Sequence, residues 1–457
     1  MARPQLRARP AAVGRARATG LTWPPRSIHW RPRQQRPERH RPGDVVVGVL
    51  LAALLLAGAI TLWRTSAVTN TTDRVAAAPI AAPPAATGIP AGFVEAWRAP
   101  SAATVRPAVV GPAVVTADGG QVSGRDARTG AEAWTYTRNS PLCAAAGGFP
   151  FSDNQRGRVL ALYRGTTGFC SEMTALSPDT GARVAARNSD VVPGTELVAD
   201  DTFVLQTGER YLEVIRSDLV KTLEYGAVIA PAQPDRQPRT GCRYGSVALA
   251  DRRLAVVERC PDETAERLTV MSPDPADSEK PEEQFSVLLP AAGPATVVTL
   301  TADRVAVALS DPPRLQLLDA GGSEIEVTPL DVPEADLATD PPGLVAPVQA
   351  GPFQAGAGQA GKDRLFWWTG SRTIALNAND LTPRWTIADT LGPALPYGDG
   401  LLVPVRAGLA DVDPRTGKTR RIIPVPRADP AAPVRLGAAG DILLEQRGPE
   451  LVALRPV

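Results

Sequence analysis

The feature that most constrains this 457-residue chain is a turn that keeps returning. From Phe93 onward, apolar runs of four to six residues are separated by Gly, Asp and Pro, which reads as short strands rather than helices. After every third strand stands an aspartate: Asp126 (GRDARTG), Asp179 (LSPDTG), Asp218 (IRSDLV), Asp274 (MSPDP), Asp319 (LLDAGG), Asp380 (NANDLT) and Asp413 (DVDPRTG). Their mean spacing is about 48 residues, and four short strands per unit at that period describe a propeller blade. The requirement is local, because an Asp side chain accepts hydrogen bonds from the amides that follow it and Gly takes the positive φ that reverses the chain.

Seven such marks, and a last unit at 433–456 with three strands and no fourth, predict an all-β propeller of eight four-stranded blades, with seven as the alternative. Residues 190–226 and 292–330 fit the unit only loosely. The missing strand can come from Phe93–Arg98, since Glu95-Ala96-Trp97 repeats as Glu132-Ala133-Trp134, and pairing it with the C-terminal three would close the ring without an open edge. Trp134 and Trp385, each in the strand after a turn, are placed to wedge between neighbouring sheets.

Gly120 to Trp134 resembles the repeat of pyrroloquinoline-quinone-type propellers, the quinoprotein-like superfamily, and 411–417 is similar. That resemblance implies an architecture shared by dehydrogenases and by cofactor-free assembly scaffolds. Among its enzymes it implies a Trp floor for the quinone, adjacent disulfide-bonded cysteines and a calcium held by Glu, Asn and Asp. Here no two Cys are adjacent, and the aromatic pair Trp367-Trp368 would point to opposite sheet faces, so no cofactor and no metal are expected.

Ahead of the repeats lies one uncharged run, Val45–Trp63. As a helix it would span about 28 Å, close to a bilayer's hydrocarbon core. Residues 1–43 carry eleven Arg against Glu38 alone, a net +10 hidden inside a whole-chain charge of +1. Arginine before the span keeps that side cytoplasmic. The expected domains are therefore a disordered Arg/Pro-rich cytoplasmic tail (1–43), a transmembrane helix (44–64), an Ala/Pro/Thr-rich stalk (65–91) and the propeller (92–457), in a single-pass protein of the plasma membrane. Signal-peptidase cleavage after Ala59 is the competing reading. The tail's arginines suit lipid headgroups, and no nucleic-acid partner is expected. Asn70-Thr71-Thr72 matches a glycosylation sequon, which carries little information in a bacterium; with 45 Arg against 4 Lys the chain reads as the product of a GC-rich genome such as an actinobacterium's.

The four cysteines all lie in the part expected outside, where an oxidising compartment favours two disulfides. Both units that hold them read Cys, strand, Cys, strand, Ser-Pro-Asp, so one staple within each unit, Cys143 to Cys170 and Cys242 to Cys260, fits the duplication. With histidine confined to His29 and His40, no His-based triad or metal site can form beyond residue 40. No catalytic residue is assigned. Carboxylate pairs such as Asp200-Asp201 or Asp262-Glu263 leave open a glycan- or peptide-cleaving enzyme. The favoured function is a non-catalytic binding or assembly scaffold for an envelope protein or wall polymer, with the repeat-breaking segment 331–362 as a candidate contact loop.

Overall fold

The computed structural model describes residues 42–66, 69–150, 156–229, 231–290, 293–338, 346–347 and 364–457. The N-terminal tail and most of the 331–362 segment lie outside these, so neither expectation about them is addressed. Two units are distinct. The first, ending at Leu62, holds most of the helix Pro42–Thr65, which is apolar around its whole circumference and, at about 36 Å, long enough to cross a membrane.

The second unit is an eight-bladed β-propeller. Blade one runs through Ala108–Val110, Ala113–Asp118, Gln121–Arg125 and Glu132–Arg138; blade two through Leu142–Gly148, Arg158–Tyr163, Cys170–Leu176 and Arg183–Val191. Blade three spans Leu197–Gly226, blade four Arg243–Leu288, blade five Ala295–Pro329 and blade seven Leu395–Pro424, each with four strands in antiparallel order. Blade six shows three described strands, Arg364–Trp368, Arg372–Asn377 and Pro383–Ala388. Ala346–Pro347 pairs in parallel with Ser246–Val247 on the inner edge of blade four.

Blade eight closes the ring. Arg435–Ala439, Ile442–Arg447 and Glu450–Pro456 take Phe93–Pro100 as their fourth strand, in a register that sets Phe93 opposite Pro456 and Pro100 opposite Glu450. Joining the two ends of the propeller within one sheet leaves no gap between first and last blades. All seven aspartates stand at the turn after a third strand.

The core is not central but radial. Eight apolar clusters occupy the eight seams between successive blades, from Val115, Trp134 and Val159 between blades one and two to Val114, Leu444 and Leu451 between blades eight and one. Both faces of each sheet are therefore buried, which accounts for second strands that are continuously apolar, such as Val159-Leu160-Ala161-Leu162 of blade two.

Parts of the expected stalk, 65–91, lie against the propeller. Thr71–Arg74 adds a fifth strand to the outer edge of blade one, pairing with Thr135–Arg138. Ile80 is buried in the seam of blades one and two, and Ile89 packs against the cluster between blades seven and eight. The Ala- and Pro-rich composition hid this because one Ile every several residues is enough to fasten an extended chain to a surface with no periodicity of its own.

Candidate functional site

Most residues singled out by the sequence are consumed by the architecture. At the turns, Asp126 Oδ1 accepts from the amides of Arg128 and Thr129, and Asp413 Oδ1 from those of Arg415 and Thr416. Asp218, Asp319 and Asp380 do the same for Val220, Ser323 and Thr382. Asp179 departs from the pattern, because its carboxylate pairs with Arg156, and at the Asp274 turn the amide of Asp274 instead donates to Ser272 Oγ at 3.2 Å.

Cys143, in the first strand of blade two, is bonded to Cys170 at the start of its third, with Cα atoms 6.1 Å apart. Cys242 and Cys260 flank the first hairpin of blade four, Cα atoms 4.2 Å apart. The two staples are thus not equivalent: one reaches past the end of an intervening strand, and the other clamps the mouth of a hairpin.

Three buried carboxylates, Glu213, Glu258 and Glu445, are surrounded by donors. Glu445, in the second strand of blade eight, accepts from Arg427 at 2.8 Å and Arg447 at 2.7 Å. Glu258 accepts from the Tyr225 hydroxyl at 2.6 Å and Arg239 at 3.0 Å. Glu213 accepts from Ser189 at 2.7 Å and Tyr211 at 3.0 Å. Such wrapping offsets the cost of burying charge and leaves each acid without a free face for proton transfer.

The candidate site is the central channel, where a cavity of about 560 Å³ opens among the inner strands of blades one to five, with Leu365 and Ala378 of blade six also on its wall. Its wall is mostly small and aliphatic, as in Ala108, Ala145, Leu197, Ala248 and Leu300, and no aromatic side chain is among its described lining residues. Charge sits at the two ends. Before the inner strands stand Arg106 and Glu196, with Arg435, the first residue of blade eight's inner strand, beside them. After the inner strands come Asp200, Asp201, Asp251 and Arg252.

Burial and then the neighbouring Arg435 pull the Arg106 guanidinium down to about 10, against the opposing influence of Glu196. Burial pushes the Glu196 carboxyl up, opposed by Arg435 and Arg106. Asp200 is also pushed up by burial, while its Oδ1 accepts from the amides of Thr202 at 2.7 Å and Phe203 at 2.6 Å. The pair Asp200-Asp201 therefore reaches the channel, but with Asp200 engaged in its own turn. Asp262-Glu263 does not line the cavity; Glu263 is held by Arg267 at 2.9 Å. Arg106, Glu196 and Arg435 carry no spacing signal, since three separate blades bring them together.

No family model matches the chain, and no curated protein matches it. Among solved structures it is similar to BamB from Moraxella catarrhalis, at 14% identity over 79% of this chain and 99% of that one, with a TM-score of 0.48. It is also similar to dihydro-heme d1 dehydrogenase NirN in complex with DHE (13% identity, 83% of this chain and 73% of that one, TM-score 0.46) and to apo AztD from Citrobacter koseri (13%, 73% and 88%, TM-score 0.43). At such identities these are resemblances of chain path alone, and no ligand, activity or partner passes from them to this protein.

Proposed function

We propose that this protein is a propeller tethered to the plasma membrane, with residues 1–43 in the cytoplasm and the ring outside, and that it binds an envelope protein or wall polymer without turning it over. The observation that carries the reading is the way the ring uses its chemistry: five of the seven turn aspartates cap their own turns, and the buried acids Glu213, Glu258 and Glu445 are wrapped in donors. What remains is a rigid closed scaffold with exposed inter-strand loops, and loops on such scaffolds are the usual carriers of recognition. The arginine-rich flank before the apolar helix supports the orientation.

Crosslinking in living cells followed by mass spectrometry tests the binding half. A recurrent partner from the cell envelope is the expected result. Protease added to wall-stripped cells tests the topology and should digest the propeller. A glycan- or peptide-cleaving activity abolished by Asp200→Asn or Asp201→Asn would replace the reading with a hydrolase.

A further inference from the structure

We infer that the basic end of the central channel binds the carboxylate of an aliphatic organic acid, whose apolar body lies along the channel; this goes beyond the macromolecular partner proposed above. The cavity, about 560 Å³, falls in the range of small-molecule sites. Its wall of Ala, Val and Leu offers apolar contact with no aromatic plane among the described residues, which suits an aliphatic chain rather than a ring system. Among the described residues nothing accepts a hydrogen bond from the Arg106 guanidinium, and nothing donates one to the Glu196 carboxylate. Arg435 spends one Nη1 bond on the Val105 carbonyl at 2.8 Å, which holds it beside Arg106.

Charge decides the ligand class. Two guanidinium groups against one carboxylate leave a single net positive charge at that end, matched by a monoanion, and a guanidinium offers a carboxylate two parallel N–H donors. Burial and then the neighbouring, exposed Arg435 disfavour the Arg106 charge, and an anion held between the two guanidinium groups would relieve it. The other end repels the same ligand: Asp200 and Asp201 follow the inner strand Leu197–Ala199 that Glu196 precedes, so the acidic group stands beyond that strand and fixes the orientation, head toward Arg106 and tail toward Asp200.

The test is calorimetric titration of octanoate into the full chain in lipid nanodiscs, with empty nanodiscs subtracted and octanamide and octylammonium as comparisons. One octanoate should bind per chain, at least tenfold tighter than octanamide. Arg106→Gln should abolish that difference without changing octanamide binding, and Glu196→Gln should enlarge it. Equal affinity for acid and amide, tighter binding of octylammonium, or no saturable uptake above empty nanodiscs would overturn the inference. If Arg106→Gln fails to melt cooperatively, Glu196→Gln decides, and absence of tightening there counts against the site. Capture of an envelope partner can succeed or fail independently of every one of these outcomes.

Discussion

The indole of Trp134 covers Gly181 of the next blade so closely that a Cβ at that glycine would stand 2.6 Å from Cδ2, while the indole N–H donates to the Pro178 carbonyl at 2.8 Å. The same contact recurs around the ring. Trp97 of blade eight lies on Gly130 and donates to Ala127 at 2.8 Å; Trp385 of blade six lies on Gly417 and donates to Pro414 at 3.1 Å; Phe285 of blade four lies on Gly322 without a polar bond. Each glycine has φ between 71° and 85°, so the turn that only Gly adopts readily is also the turn that accepts the neighbouring ring.

Gly181→Ala combines left-handed strain with a clash against a fully buried indole, and should cost about 3 kcal/mol. Chemical denaturation of the variant, read beside Gly168→Ala, separates the two contributions. Gly168 also has positive φ, but nothing lies within 4 Å of a Cβ there, so only strain should register.

Glu445 is fully buried between Arg427 and Arg447, and Arg427 also donates to the carbonyls of Val405 and Gly408 in blade seven. Glu445→Ala would leave two guanidinium groups unpaired across the seam of blades seven and eight. A loss of about 3 to 5 kcal/mol is expected. Glu445→Gln, which keeps an acceptor, should lose less, and the ordering of the two melting temperatures checks the account.

Reducing the disulfides should destabilise blades two and four rather than unfold the ring outright. On the chain-entropy argument each loop, 27 and 18 residues in sequence separation, contributes about 3 kcal/mol. Hydrogen exchange with and without reductant should show loosening concentrated in 142–191 and 243–288.

Glu196 makes stability depend on pH in a particular direction. Its folded carboxyl is raised above the ordinary value of 4.5, so between the unfolded and the raised folded value the native state binds more protons and stability falls as pH rises. Glu196→Gln should therefore melt higher than the parent at pH 7, and the advantage should disappear below about pH 4. An advantage that is independent of pH would rule out titration of Glu196 as its source.

Ile80 tests whether the segment after the helix belongs to the ring. It is 8% exposed in the seam of blades one and two, and Ile80→Ala should cost about 2 kcal/mol. A free stalk would show no change.

The sequence by itself determined the blades, because what makes a blade is local. Asp126 and Asp413 act on amides two and three residues away, and the apolar runs of a sheet buried on both faces are visible as runs. It also determined the apolar helix, since length and absence of charge are properties of a single segment. Tertiary structure alone decided what depends on which blade meets which. Phe285 does the work of a tryptophan because Gly322 happens to face it, and Ile80 becomes core because a seam lies beside an otherwise featureless run. Arg106, Glu196 and Arg435 form one end of a channel because closing the ring through Phe93–Pro100 sets blades one and eight side by side, a juxtaposition of distant residues that no local pattern encodes.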